Sequence, residues 1–502
     1  MSSSSSSSAI PFQISPDSNL PLREIPGSYS YGGSSFIGAI RDRYDYFYNE
    51  GENNFFLAKM KKYNSTVFRT NMPPGPFISK DSKVVVLLDA VSFPVLFDNS
   101  KVEKKNVLDG TFMPSTAFFG GYRPCAFLDT SEPRHETLKA FFFSVLARLN
   151  TRFIPLFRSC LGNLFDSLET QVSEKGKAGF NPASDAVSFE FVFRLFCNKN
   201  PSETELGDGG AKLMDSWIAF QLSPLISLGL KFLPNFLEDL LLHTFSWPFF
   251  AVKPSYEKLS RVFAASATSV LDEAEKNGVE RDEALHNLVF LAGFNAYGGM
   301  KAFFPTLIKW VGAAGENLHR RLANEIRTIV KEEGCGASGV TLKALEKMKL
   351  TKSVVYEVLR IEPPVPYQYG KARDDIIVRS HESSFLINKG EMIFGYQPFA
   401  TKDPKVFTDP EKFIPDRFLH DGGEKLIHYL YWSNGRETKN PAAGDKQCPG
   451  KELVVLMARL MLVELFLRYD SYEIQWEKLP LGSSVTITSF TKHNLHNNIG
   501  EF

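Results

Sequence analysis

A cysteine near the carboxyl end of the chain stands in a setting that favours a metal-binding thiolate. Cys448 lies in the run PAAGDKQCPG, two residues after Lys446, and an apolar run that predicts a helix follows it. The partial positive charge and free N–H groups at a helix N-terminus stabilise a thiolate. A heme iron with a thiolate axial ligand needs such a cysteine, with glycines that let the loop lie flat and a cation for a propionate. The alternative role for Cys448 is that of a small buried hydrophobic residue.

Three further elements with charged side chains precede this cysteine. Glu357 and Arg360 lie three residues apart on a predicted helix, a pairing that occurs on many helices and carries little meaning alone. Arg417 follows in the run PDRF, between that pair and the cysteine. His135 and Lys139 lie further upstream and one helical turn apart, so both side chains share one helix face. The order of these elements along the chain gives them a joint meaning.

A central helix predicted over residues 288–315 is almost free of charge. Its only charged residues are Lys301 and Lys309, and Asn295 lies in its middle. A helix that is apolar on all sides is expected to run through a core. Glycine costs about 1 kcal/mol relative to alanine in a helix interior, so three glycines here indicate either a flat ligand close to the backbone or a tight helix crossing. These are Gly293, Gly298 and Gly299.

In this order, the elements resemble the ExxR, PxRF and cysteine-loop motifs of the cytochrome P450 heme-thiolate superfamily. The runs NMPPGPF, GTFMPST, GGYR, FNAYGG and WSNG are similar to those of its plant branch that metabolises fatty-acid hydroperoxides. That branch comprises allene oxide synthases, hydroperoxide lyases and divinyl ether synthases, and the resemblance covers about residues 20–489. It implies the heme-thiolate fold and heme b as the cofactor, with Cys448 as the iron ligand. The cofactor-binding residues that it implies are Cys448, Lys446, His135, Lys139, Glu357, Arg360 and Arg417.

The central helix departs from the pattern of the oxygen-activating members. Those members carry an acid–threonine pair that delivers protons to bound dioxygen, whereas this chain has Asn295 followed by Ala296. The resemblance therefore implies that the oxidising equivalent arrives in the substrate as a peroxide, and that no reductase, NADPH or O2 is needed. Homolytic O–O cleavage would give an epoxyallylic radical. Asn295 is expected to hydrogen-bond the hydroperoxide and position the oxygen radical; its alternative role is to satisfy a buried backbone group.

Two apolar residues bear on the fate of that radical. Allene oxide synthases of this family resemble KKDLFTGT, with phenylalanine where this chain has Leu108, and they carry serine where it has Ala126. An aromatic face stabilises an electron-poor centre by about 0.5–2 kcal/mol, and leucine has no such face. Both differences favour a lyase, although both residues are also ordinary packing types. The candidate catalytic residues are Asn295, Leu108 and Ala126.

The predicted activity is that of a fatty-acid hydroperoxide lyase. It would cleave 9- and/or 13-hydroperoxides of linoleic and linolenic acid into a short-chain aldehyde and an ω-oxo acid. An allene oxide synthase is the first alternative. A conventional monooxygenase and a non-catalytic heme-binding protein are further alternatives. Strict dependence on a reductase would favour the monooxygenase, and an absence of turnover would favour the heme-binding protein.

The elements that position these residues are mostly helical. Short β-type runs are predicted at 66–70, 84–88, 376–379, 385–387, 471–475 and 485–488. Apolar periodicity predicts helices at 137–150, 152–175, 186–197, 211–222, 255–277, 282–314, 315–333, 341–348 and 351–362. The predicted fold class is mainly α with a small β-rich lobe. It forms one catalytic domain over 20–502, β-rich at about 20–130 and helical and heme-binding at about 131–502, after a disordered Ser-rich leader over 1–19.

Composition excludes several classes of protein. A chain of 502 residues with 43% hydrophobic content is not disordered, and 57 Lys+Arg against 57 Asp+Glu argues against a nucleic-acid-binding role. Five widely spaced cysteines fit free thiols in a reducing compartment. The leader has no basic residue before Arg23, which favours a cytoplasmic or peripherally membrane-associated protein over a plastid one. The apolar, proline-broken run at 219–250 is predicted as core helices or a channel wall, with contact to a membrane or lipid body as the alternative.

Overall fold

The computed structural model describes residues 20–493, except 109, 230, 231, 336–339, 420 and 481. The predicted leader at 1–19 lies outside these residues. Helices form most of the described chain, and small sheets of two to five strands complete it. The predicted fold class, mainly α with a small β-rich lobe, is confirmed.

Most helices follow the apolar periodicity of the sequence and pack into one large core. Their bounds are α1 Ser35–Tyr44, α2 Glu52–Tyr63, α3 Pro133–Lys175, α4 Phe180–Cys197, α5 Gly210–Leu222, α6 Asn235–His243, α7 Lys253–Ser266, α8 Thr268–Lys276, α9 Arg281–Phe290, α10 Gly298–Ala314, α11 Glu316–Glu332, α12 Leu342–Lys347, α13 Lys349–Ile361, α14 Gln397–Ala400, α15 Asp421–Leu426 and α16 Lys451–Arg468.

The strands are short, and several of them were not predicted from the sequence. Their bounds are β1 Leu22–Arg23, β2 Val67–Asn71, β3 Lys83–Leu87, β4 Val102–Glu103, β5 Ala178–Gly179, β6 Tyr367–Ala372, β7 Ile376–Arg379, β8 Ser384–Ile387, β9 Met392–Tyr396, β10 Tyr431–Trp432, β11 Gly435–Arg436, β12 Tyr469–Lys478 and β13 Ser483–Lys492.

The largest sheet joins strands from two distant parts of the chain, 67–103 and 367–396. Its strand order is β2-β3-β9-β6-β4, and β3 pairs in parallel with β9, with Val85 opposite Ile393. Side chains alternate between the two faces of a strand. Val85 therefore packs in one apolar cluster, and its neighbour Val84 packs in a second cluster on the other face. The β-rich lobe thus extends beyond the predicted portion at about 20–130.

Two helix predictions differ from the structure around a single residue each. Helix α3 is continuous through Pro155, where two helices were predicted; proline removes one backbone donor, and the packed face of the helix compensates. Conversely, the helix predicted at 255–277 is broken at Ala267, whose backbone leaves the helical region (φ −92°, ψ 27°). Neither position carries a local signal that distinguishes these outcomes.

The central helix is continuous, but its middle is wider than an α-helix. Residues Leu291–Tyr297 form a π-helical segment between α9 and α10. Such segments insert one residue into a helix and occur often at functional sites. A side chain on Gly293 would collide with Met214 and crowd Trp217 of α5. Gly293 therefore serves a tight helix crossing, which was one of its two predicted roles.

The prediction of core helices for residues 219–250 is wrong for α6. Four of its five apolar side chains are exposed, those of Phe236, Leu237, Leu240 and Leu241, whereas Leu242 and the two acids of the helix are buried. Among the described residues, one helix, α3, is long and apolar enough to cross a membrane, but many of its apolar side chains lie in the main core.

Candidate active site

Cys448 lies just before α16 and is partly exposed. Its backbone N–H donates to the Ser433 carbonyl at 3.1 Å. Burial raises the pKa of the Cys448 thiol, whereas the Gly450 N–H and the nearby Lys139 ammonium lower it. A bound metal ion displaces the proton of a coordinating thiol outright. The arrangement therefore suits a metal ligand better than a free thiolate.

A short hairpin holds the cysteine loop in place. Strands β10 and β11 are joined by a tight turn in which Asn434 has a left-handed backbone (φ 63°). Gly435 follows, and a side chain there would collide with Gln447 in the cysteine loop. Gln447 also donates to the Arg436 carbonyl at 2.8 Å. The WSNG run thus supports Gln447, the residue next to Cys448, through this turn.

Four basic side chains gather beside this loop. Lys104, His135 and Lys139 are almost fully buried, with exposed fractions of 4%, 2% and 3%. Lys139 donates to Asp445 Oδ1 at 2.7 Å, and Lys446 completes the group from the cysteine loop itself. Burial and the mutual repulsion of these groups lower the pKa of Lys104 to about 7, of Lys446 to about 8 and of His135 to about 4.

This basic cluster has the properties of an anion site. The buried Nδ1 atom of His135 has no hydrogen-bond partner among the described residues. A buried polar atom without a partner costs about 1–3 kcal/mol, and burial disfavours the charged forms of these basic side chains. The two propionate carboxylates of a heme would satisfy both. The residues present therefore fit the predicted cofactor, which Lys104, His135, Lys139 and Lys446 would hold through its carboxylates and Cys448 through its iron.

Lys446 connects the cysteine loop to Ala126. Its ammonium donates to the carbonyls of Ala126 at 2.8 Å and Leu128 at 2.6 Å. The turn over Cys125–Phe127 in turn contacts the central helix, since the Cys125 N–H donates to Asn287 Oδ1 at 2.9 Å. Ala126 is thus next to Lys446, one of the residues that would hold the cofactor.

Asn295 stands out on the π-helical segment. It is exposed, whereas Leu291, Ala292, Gly293 and Tyr297 are buried, and its side chain has no hydrogen bond within the described part of the chain. The alternative role, satisfying a buried backbone group, is therefore not the one observed. An unpaired amide on an apolar segment can donate to or accept from a ligand.

Leu108 is less informative. Its side chain is half-buried and packs against the main core, and its N–H donates to the Phe112 carbonyl at 3.1 Å. No hydrogen bond joins it to Asn295 or to the basic cluster. Its position is compatible with both predicted roles, directing the fate of the radical and packing.

Glu357, Arg360 and Arg417 form a closed triad. Glu357 accepts from Arg360 at 2.7 and 2.8 Å and from Arg417 at 3.0 and 3.1 Å. The remaining Arg360 donors bond the carbonyls of Thr401, Pro410 and Lys412. All five N–H groups of Arg360 are therefore used. The sequence predicted that these three residues bind the cofactor. In the structure the triad instead fastens the loop between α14 and α15 to α13.

Lys104 is the site residue that sequence reasoning missed. It lies in the run VEKKNV, which looks like a solvated charged stretch. In the structure its N–H donates to Asp129 Oδ1 at 2.7 Å, and its ammonium bonds Asn434 Oδ1. Both partners are distant in sequence, so no local pattern could have revealed its burial.

Known proteins resemble this chain over nearly its whole length. A model of the cytochrome P450 family matches residues 315–489. Allene oxide synthase 3 of Solanum lycopersicum is 60% identical over 475 residues, which are 94% of this chain and 95% of the relative. The chloroplastic allene oxide synthase 1 of the same plant is 52% identical over 98% of this chain and 90% of its own length. A 9-divinyl ether synthase of Capsicum annuum is 53% identical over 94% of this chain and 98% of its own.

Proposed function

We propose, from the premise that the chain belongs to the cytochrome P450 family and to its plant branch that metabolises fatty-acid hydroperoxides, that it is a hydroperoxide lyase. A thiolate-ligated heme is the cofactor of this family, and Cys448 is its proposed ligand. When bound, the heme supplies homolytic cleavage of the substrate O–O bond. The products would be a short-chain aldehyde and an ω-oxo acid.

The observation that carries the lyase proposal is the absence of a base on the segment that bears Asn295. Formation of an allene oxide requires loss of a proton from the substrate, whereas C–C scission does not. Asn295 can hydrogen-bond but cannot accept a proton at neutral pH. Tyr297 is the only titratable residue in 291–297, and its hydroxyl donates to Asp215 Oδ1 at 2.8 Å. No described side chain of this segment is therefore free to take the proton.

In this proposal the chain's own residues bind and orient the substrate. The Asn295 amide hydrogen-bonds the hydroperoxide and then the oxygen radical left on the fatty acid. Apolar neighbours such as Phe290 and Phe294, stacked at 4.9 Å, exclude water from that radical. Neither a reductase nor O2 is required.

An allene oxide synthase is the second candidate. The identity of 60% to allene oxide synthase 3 of Solanum lycopersicum favours it. Incubation of the purified holoenzyme with the 9- and the 13-hydroperoxide of linoleic acid, without NADPH and under argon, separates the two. Aldehydes and oxo acids support the lyase, ketols and a cyclopentenone support the synthase, and no turnover contradicts both. Cys448→Ala should abolish the thiolate-heme spectrum and the turnover together.

The Leu108→Phe variant tests the residue expected to direct the product. We expect the ratio of aldehydes to ketols to fall several-fold, since a cation–π contact of about 1 kcal/mol changes a branching ratio about fivefold. The same change at Leu386, an exposed residue of β8, is the matched control. An unchanged product ratio in Leu108→Phe would leave Leu108 as a packing residue.

We also propose that the enzyme meets its substrate at a lipid surface, through α6 and its flanks. Phe236 and Leu241 on this helix are 63% and 55% exposed, and Phe232 and Phe250 beside it are 82% and 75% exposed. A helix with an apolar outer face buries that face in another phase or partner.

The charges of this region favour a lipid surface over a protein partner. Residues 216–256 contain two acids, Glu238 and Asp239, and both are buried. Glu238 accepts from Ser227 Oγ at 2.7 Å, and Asp239 pairs with Arg43 at 2.5 Å. No described carboxylate of this segment therefore faces outward to repel anionic headgroups.

Flotation of the full chain with vesicles of phosphatidylcholine and phosphatidylserine tests this surface. Phe236→Gln with Leu240→Gln should weaken binding at least tenfold, because each buried apolar side chain contributes about 1.5–3 kcal/mol. Ile377→Gln with Leu386→Gln, exposed residues elsewhere, is the control and should bind like the wild type. Equal binding by both variants contradicts the proposal. A dimer that the Phe236/Leu240 variant disrupts, without vesicle binding by the wild type, assigns the surface to a second copy instead.

A further inference from the structure

The π-helical segment at 291–297 is held at both ends by the same neighbour, α5. At its start, Gly293 lies against Met214, with no room for a side chain. At its end, the fully buried Tyr297 donates from its hydroxyl to Asp215 Oδ1 at 2.8 Å. Met214 and Asp215 are adjacent in α5. One turn of α5 therefore touches the segment on either side of Asn295.

A charged cluster surrounds the second of these contacts. Lys301 follows Tyr297 by one helical turn and donates to Asp215 Oδ2 at 3.2 Å. Its ammonium also bonds Asp185 of α4. Burial raises the pKa of the Tyr297 hydroxyl well above its usual value, and the two carboxylates raise it further. Tyr297 is therefore a hydrogen-bond donor, and it is committed to Asp215.

The extra residue of a π-helical segment changes the direction in which the side chains before it point relative to the side chains after it. Return to an α-helical register would turn residues before the segment by about 100° relative to those after it, the angle that one residue spans in an α-helix of 3.6 residues per turn. The contacts of Gly293 with Met214 and of Tyr297 with Asp215 oppose such a shift. Each contact forms only while its residue faces α5. Asn295 lies between them.

We infer that Tyr297, through its hydrogen bond to Asp215, is a positioning residue that fixes the direction of the Asn295 amide. This inference deepens the proposed function and rests on it for the role of Asn295. Tyr297 does not touch the reacting atoms. It acts by keeping the amide where it would hydrogen-bond the hydroperoxide beside the bound heme.

Tyr297→Phe in the purified holoenzyme is the direct test, because it removes only the hydroxyl. Heme content and KM should stay within about twofold, while kcat falls tenfold to a hundredfold, the usual cost of a misplaced positioning group. The Soret band should shift with the spin state of the iron, and hydrogen exchange at 291–297 should accelerate. Tyr469→Phe is the matched control, since Tyr469 lies on β12 and its hydroxyl donates to Glu169 Oε2 of α3 at 3.1 Å. It should change none of these quantities.

A pair of substitutions at the partner residue distinguishes positioning from folding. Asp215→Asn keeps an oxygen that accepts from Tyr297, so most of the wild-type kcat should remain. Asp215→Leu removes the acceptor and should lower kcat as much as Tyr297→Phe does. The inference is overturned if Tyr297→Phe keeps its heme with unchanged kcat and Soret band. It is also overturned if Tyr297→Phe loses heme, or if the two Asp215 variants behave alike. Wild-type enzyme that fails to consume hydroperoxide contradicts the proposed function alone, since the spin state and hydrogen exchange still report on Tyr297.

Discussion

At the scale of single residues, the basic cluster needs an anion beside its buried cations. Lys104 is 4% exposed, and burial together with the Lys446 charge lowers its pKa to about 7. Such a buried cation is stable in its charged form only beside an anion. The heme propionates would provide that anion, so Lys104 should contribute to cofactor retention.

Lys104→Met tests this contribution while keeping the length of the side chain. We expect heme affinity to fall about tenfold to a hundredfold, since a hydrogen bond to a charged group contributes about 1.5–3 kcal/mol. The measurement is the rate of heme transfer to apomyoglobin. Lys389→Met removes an exposed lysine that pairs with Asp374 and should leave the rate unchanged. Equal rates for both variants would contradict the assignment.

The sequence predicted the residues that belong to ordered motifs and missed the one that does not. Cys448, Lys446, His135 and Lys139 stand at spacings that a reader can recognise, and the structure brings them together. Lys104 owes its burial to Asp129 and to the Asn434 turn, which are remote in the chain. A contact made by folding leaves no trace in local spacing.

At the scale of elements, the triad of Glu357 with Arg360 and Arg417 replaces regular structure. The segment between α14 and α15 has no strand or helix among its described residues, and the carbonyls of Thr408, Pro410 and Lys412 accept from the two arginines. The triad thus supplies the hydrogen bonds that a helix or sheet would otherwise provide.

Glu357→Gln should destabilise the protein by about 3–5 kcal/mol, because it leaves two buried arginines without a counter-charge. Urea unfolding of the holoenzyme at fixed protein concentration measures the change. Glu391→Gln, which breaks a partly exposed pair with Arg69, should cost less than about 1 kcal/mol. Similar losses in the two variants would show that the triad is not a stabilising element.

Long helices were predictable from the sequence, whereas short strands and changes of helix type were not. The periodicity of α11 and α13 places their bounds within a few residues of the prediction. Strands β6 and β9 were missed because runs of five or six residues, YQYGKA and MIFGY, carry no clear alternation of polar and apolar residues. The π-helical segment was invisible, because its extra residue is imposed by packing against α5.

At the scale of the whole molecule, the two predicted portions of the catalytic domain do not separate. Strand β3 lies between β2 and β9, so the largest sheet needs strands from both portions. The basic cluster likewise combines Lys104 with Lys446. Each portion alone would expose apolar strands and half of a cofactor site.

A fragment of residues 131–502 should therefore neither fold cooperatively nor bind heme. Without β3, the inner edge of β9 would be unpaired, which favours aggregation. Expression of this fragment beside the full chain, with heme titration followed by the Soret band, measures the outcome. A soluble fragment with a thiolate-heme spectrum would show that the helical portion is autonomous.

The distance between the two halves of the cofactor site also bears on how the enzyme is made. Lys104 and His135 leave the ribosome more than 300 residues before Cys448. At about 5–20 residues per second, the delay lasts roughly 15–70 s. During that time the nascent chain holds the cations for the propionates but no ligand for the iron. Capture of the cofactor through Cys448 would thus wait for nearly complete translation, and a chain terminated before Cys448 would lack the proposed ligand of the iron.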